Sequence, residues 1–93
     1  MNNRKELLNL LEQKLDDENL DYTIEEGYEV LVSDTPLIKI ICGDINPLYD
    51  SFKFYTVEYG DDKEKLLSIR MTTLVDDIIE WIFEEKAKDS AYI

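Results

Sequence analysis

A chain of 93 residues with 44% hydrophobic side chains is long enough for one modest core and too apolar for an intrinsically disordered segment. Ten Lys plus Arg stand against 22 Asp plus Glu, a net charge of −12, which argues against nucleic acid or an anionic membrane as a direct partner and favours a basic protein. The single cysteine, Cys42, rules out an internal disulfide and fits a reducing cytoplasm, the expected location.

The first residues, MNNRKELLNLLEQKLDD, contain no long apolar run, so neither a signal peptide nor a transit peptide is expected, and no segment reaches membrane-spanning length. Residues 3–18 read as a helix. Leu7, Leu8, Leu11 and Leu15 recur at helical spacing, with Leu10 at the edge of the stripe. Asn3 with Glu6 three positions later has the form of a capping box, and Asn19 or the turn after it ends the helix. Residues 21–26 and 28–33 alternate around Glu26-Gly27 and read as a hairpin. Asp34-Thr35-Pro36 makes a second turn, and the apolar run Leu37–Cys42 reads as a central strand. A loop covers Gly43 to Asp50. Phe52–Tyr59, rich in aromatic and β-branched residues, is a strand; Gly60–Lys63 turns the chain, and Leu66–Met71 returns it.

Residues 74–88 form a second helix, with Leu74, Val75, Ile78, Ile79 and Ile82 on one face and Thr73 with Asp76 marking its start. Residues 89–93 are expected to fray. The order α-β-β-β-β-β-α predicts one α+β domain spanning residues 1–93. It is an antiparallel sheet of about four to five strands with the N- and C-terminal helices packed on one face. The expected core includes Leu7, Leu11, Ile38, Ile40, Phe54, Ile69, Ile78 and Ile82.

The residues of most catalytic and metal chemistry are missing. There is no histidine, and one cysteine without histidine excludes the usual zinc sites and a Cys–His dyad. The three glycines, Gly27, Gly43 and Gly60, are scattered and build no phosphate loop. Asp44-Ile45-Asn46 has the start of a calcium loop, but Pro47 follows and neither the turn glycine nor the closing glutamate is present. Cys42, ending a buried strand, reads as a small core residue. The expectation is a non-enzyme that folds and acts without metal or cofactor.

What remains is the placement of charge. Between Lys14 and Lys39 lie eight acids and no base: Asp16, Asp17, Glu18, Asp21, Glu25, Glu26, Glu29 and Asp34. Asp16, Asp17 and Glu18 sit at the negative end of the first helix dipole, each unfavourable by roughly 0.3–1 kcal/mol before screening. On the second helix, at ~100° per residue from Leu74, the apolar face centres near about 80°. Asp76, Asp77, Glu80 and Glu84 lie opposite, between about 200° and 300°, at steps of ~6 Å that resemble the phosphate spacing of one nucleic-acid strand. Trp81 and Phe83 flank this stripe. An aromatic there anchors an interface or, for Trp81, covers the sheet edge.

Acids held at some cost to stability suit a lysine- and arginine-rich groove. The chain is therefore expected to be a small non-catalytic inhibitor that binds a basic nucleic-acid-binding surface of a bacterial protein. Phage anti-defence and anti-CRISPR proteins and nuclease-immunity proteins act in this DNA-mimic manner as a class. The expected partner-binding residues are Asp16, Asp17, Glu18, Asp21, Glu25, Glu26, Glu29, Asp76, Asp77, Glu80, Glu84 and Trp81. The second reading is a small acidic adaptor or chaperone-like interaction module.

Overall fold

The computed structural model describes residues 3–34, 37–43, 51–60 and 63–90. The elements run α1 (Asn3–Asp17), β1 (Tyr22–Glu25), β2 (Glu29–Asp34), β3 (Leu37–Cys42), β4 (Phe52–Gly60), β5 (Lys63–Thr72) and α2 (Val75–Ser90). The strands form one antiparallel sheet in the order β1-β2-β3-β4-β5, each beside its neighbour in sequence, so every connection is short and local. The expected α+β architecture is the one observed. The second turn, the loop and the third turn fall largely on residues 35–36, 44–50 and 61–62, outside the described residues.

Alternation builds the core. Ile38, Ile40 and Cys42 of β3 and Phe52 and Phe54 of β4 are fully buried, with Val30 and Val32 of β2 beside them. Leu8, Leu11 and Leu15 of α1 and Val75, Ile78 and Ile82 of α2 close on this same face, in one cluster. Leu7 and Ile79 pack at its margin. Gly43 locks the corner where α1 begins. Its φ is +88°, and a Cβ there would stand 2.5 Å from Cγ of Arg4. Arg4 in turn lays its guanidinium over the Tyr28 ring, 4.5 Å from the centroid.

Helix α1 ends as a Schellman motif. The Leu20 amide donates to the Leu15 carbonyl (3.0 Å) and the Asn19 amide to the Asp16 carbonyl (3.1 Å), while Asn19 takes φ +56°. Leu15 and Leu20 are both buried, the apolar contact that belongs to this stop. The β1–β2 hairpin turns on two consecutive left-handed residues, Glu26 (φ +56°) and Gly27 (φ +77°). Asn or Gly is the usual occupant of the first of these positions.

Three expectations need correction. Ile69 is 53% exposed rather than in the core, because it pairs with Tyr55 on the face away from the helices. A bulge beside Thr56 and Val57 resets the pairing, so β5 turns Ser68, Arg70 and Thr72 inward and its apolar residues outward. Leu74 is 61% exposed and precedes α2 instead of joining its apolar face. The hydroxyl that bonds at the start of α2 is that of Thr72, not Thr73: its Oγ1 accepts from the Leu74 amide (3.1 Å) and donates to Asp77 (2.6 Å), while Leu74 holds the N-cap position.

The two left-handed positions respond oppositely to substitution. Asn19→Ala places a β-carbon residue without a local side-chain hydrogen bond at positive φ and should cost about 1 kcal/mol, near 4–8 °C in melting temperature for a domain of this size. Glu26→Asn should raise stability by ~0.5 kcal/mol. Urea and thermal unfolding of the two variants check both signs.

Candidate acidic interaction surface

Six acids of the acid-only segment are exposed from the end of α1 to the β1–β2 hairpin. Asp16, Asp17 and Glu18 are exposed at the end of α1; Asp21 is exposed on the link to β1; Glu25 and Glu26 are exposed at the hairpin. Because β1 is an edge of the sheet, these six carboxylates follow one side of the molecule from helix end to turn. None of the six is in an ion pair among the described residues. Two are held by tyrosines: the Tyr22 hydroxyl donates to Asp16 (3.1 Å) and lies 3.5 Å from Glu12, and the Tyr28 hydroxyl donates to Glu26 (2.9 Å). Tyr22 thereby ties the acidic helix end to β1, and Tyr28 braces the acidic turn from within.

Glu29 lies directly across from Glu25 in the β1–β2 register. It points to the open face of the sheet, 3.8 Å from Nζ of Lys39, which also donates to Glu64 at 2.6 Å. Lys86 of α2 approaches the flank from the other side. With Asn19, Asp21, Tyr22, Thr23, Leu31 and Leu37 it lines a cavity of about 500 Å³.

The α2 stripe is less bare than its helical wheel implies. Asp76 pairs with Lys14 at 3.4 Å, Asp77 accepts from the Thr72 hydroxyl, and Glu84 accepts from Arg70 at 3.0 Å; Glu80 is exposed. Bases from α1 and β5, distant in sequence, reach the stripe in space. Trp81 is packed edge-on against Phe54, with centroids 5.5 Å apart and planes at 68°. The Arg70 guanidinium covers it at 5.4 Å. The exposed aromatic of α2 is Phe83. Sequence reasoning missed Glu85, a buried acid held between Arg70 (3.6 Å) and Lys88 (3.1 Å). Its only sequence signal is its i,i+3 spacing to Lys88.

The chemistry available here is electrostatic. Among the described residues no three His, Cys, Asp or Glu side chains converge to hold a metal ion, and no helix is long and apolar enough to cross a membrane. Burial pushes the Cys42 thiol up to about 12, with the Glu12 charge adding to the shift, so at neutral pH it is a protonated core residue. Burial and then the hydrogen bond to Asp16 push the Tyr22 phenol up to about 12, and the bond to Glu26 raises Tyr28. Comparison with protein-family models, with curated proteins and with solved structures finds no match to this chain.

These shifts set an alkaline limit. A group whose folded-state pKa is raised stabilises the fold fully below its unfolded value and loses that contribution as pH climbs to the folded one. For Cys42 the window runs from 9.0 to about 12 and for Tyr22 from 10.0 to about 12. Urea stability should therefore fall across this range, and Cys42→Ala should flatten its lower part. In native protein at neutral pH, Cys42 should resist thiol reagents that label it rapidly in urea.

Proposed function

We propose that this chain is a non-catalytic inhibitor whose acidic flank, from Asp16 to Glu26, docks into the basic nucleic-acid-binding groove of a bacterial protein. This is the action of phage anti-defence and nuclease-immunity proteins. The observation that carries the reading is the flank itself: six exposed carboxylates without an ion-pair partner among the described residues.

Their positions cost stability, which is what acids placed for binding do. Asp16, Asp17 and Glu18 oppose the α1 dipole, and Glu26 occupies a left-handed position that favours Asn or Gly. The tyrosine bonds hold Asp16 and Glu26 in place, which lowers the ordering entropy these two carboxylates lose on docking. The α2 stripe, partly neutralised by Lys14 and Arg70, is secondary, and Trp81 supports the core behind it.

The second reading, an acidic adaptor or chaperone-like module, is favoured by the exposed Leu66, Ile69 and Met71 of β5. A client held there binds through apolar surface, with little weakening by salt.

The test is capture from a bacterial lysate at low and at high salt, with excess duplex DNA as competitor. The expected captive is a nucleic-acid-binding protein, released by salt and by DNA. The triple variant Asp17→Lys, Glu18→Lys, Asp21→Lys should bind it at least ~10-fold more weakly while melting at the same or a higher temperature, since cations suit a helix C-terminus. Equal binding by that variant makes the flank a solvated surface and refutes the proposal.

A further inference from the structure

The two edges of the sheet are guarded differently. The outer strand β5 carries Lys63 and Lys65 and a bulge that leaves Leu67 outside the register, the usual devices against a further strand. The other edge, β1, pairs with β2 alone among the described residues and has no lysine, no proline and no register shift. The ladder fixes which of its backbone groups are free. The Cys42 amide donates to the Tyr28 carbonyl (2.9 Å), so Glu29 and Ile41 are a pair without mutual hydrogen bonds, and Glu29 turns its N–H and C=O towards β1. By the same alternation Glu25 and Thr23 bond to β2, while Tyr22 and Ile24 aim their backbone groups out of the sheet. The Ile24 side chain lies on the helix side, opposite the buried Val30, yet is 39% exposed.

We propose that β1 accepts an extended, lysine- or arginine-bearing segment of a protein partner as a sixth strand of the sheet. The inference rests on the acidic-flank reading for the sign of the partner's charge, and adds the form in which the partner is bound: backbone to backbone, along an edge. Charge names the occupant. Glu25 lies directly across from Glu29, an unfavourable pair of like charges. Lys39 of β3 relieves Glu29 from one side, at 3.8 Å. The matching place beside Glu25 is on the free side of β1, where an added strand sets a side chain next to it. Asp21 and Glu26, both exposed, continue the acidic run at the two ends of the strand. A basic segment is drawn to this edge. A second copy, with a net charge of −12 and the same acids on its own edge, is repelled.

The pattern of the segment follows from the two sides of β1. Residues of an added strand alternate between faces as those of β1 do. On the open face its neighbours are Thr23 and Glu25, which favour a cation. On the helix side they are Tyr22 and Ile24, which favour an apolar residue, since covering Ile24 removes an exposed isoleucine from water. The segment is therefore one of alternating basic and apolar residues. Tyr22 holds the strand ready for it, because its hydroxyl is bonded to Asp16 of α1 at 3.1 Å. Beside Tyr22 and Thr23 the cavity of about 500 Å³ has room for a larger side chain at that end.

The probe is a blocked peptide of about eight alternating lysines and valines, long enough to run past the four residues of β1 at both ends, added to isotope-labelled protein at low salt. Its binding should slow hydrogen exchange of the Ile24 amide at least ~10-fold, because that N–H gains a backbone acceptor. Attraction by charge alone leaves this amide exchanging as in the free protein. Ile24→Pro removes only an N–H that β2 does not use, so the chain should stay folded and bind the peptide at least ~10-fold more weakly. Ile24→Lys, which copies the lysine guard of β5 at a partly exposed position, is the second variant and should weaken binding likewise. Absence of binding at low salt overturns the proposal. So does binding that leaves the Ile24 amide unprotected, equal binding by either folded variant, or pairing of β1 with a second copy, seen as protection that grows with protein concentration alone. The lysate capture separates this proposal from the flank reading. A captive lost by Asp17→Lys, Glu18→Lys, Asp21→Lys but kept by Ile24→Pro upholds the flank and removes the strand. A peptide paired with β1, alongside a captive that DNA does not displace, upholds the strand and removes the nucleic-acid-binding partner.

Discussion

Burial of Phe52 and Phe54 against Ile38, Ile40 and Cys42, beneath both helices, is the contact on which the other features depend. Each phenylalanine contributes roughly 1.5–3 kcal/mol by leaving water. The pairing of Ile40 with Phe54 and of Cys42 with Phe52 fixes the β3–β4 register, since a slip by one residue would turn these side chains out. That register sends Lys39, Ile41 and Tyr55 to the opposite face. Carried through the bulge, it also sends Ser68, Arg70 and Thr72 inward and Ile69 and Met71 outward. The apolar open face is thus a consequence of how the core is paired, and not of any local feature of β5.

The few bases are placed selectively. Lys39 serves Glu29 and Glu64 in the middle of the open face; Arg70 serves Glu84 and Glu85 while covering Trp81; Lys14 serves Asp76. Exposed ion pairs of this kind add little to stability, typically about 0–1 kcal/mol. Their larger effect is on charge distribution. Bases paired on the sheet face and the second helix leave the β1 flank with six exposed acids and no ion pair among the described residues.

Much of the fold was legible in the chain. The leucines of α1, the stop at Asn19, the turn at Glu26-Gly27 and the apolar run of β3 are local signals, and each was realised. Ile69 was misread because alternation shows that a strand has two faces without showing which one meets the helices. The start of α2 was misread by one residue: it lies at Val75 instead of Leu74, and the hydroxyl bonded there is that of Thr72. The flank was legible because its acids are contiguous in sequence. The α2 stripe was read as bare because Lys14 and Arg70 arrive from other elements, and Glu85 was missed because its burial depends on Arg70.

The acid-only flank follows from edge position as well as from composition. β1 has one strand neighbour, β2, and neither Tyr22–Glu25 nor Glu29–Asp34 contains a base, so the residue directly across from Glu25 is another acid, Glu29. Like charges directly opposite in a sheet are unfavourable, and this pair is relieved from one side, where Lys39 of β3 stands 3.8 Å from Glu29. Elsewhere the bases arrive from elements distant in sequence: Lys14 of α1 at Asp76, and Arg70 of β5 at Glu84 and Glu85. An edge strand has no second neighbour to bring such a base, so acids that are contiguous in sequence stay together, without ion pairs, in space.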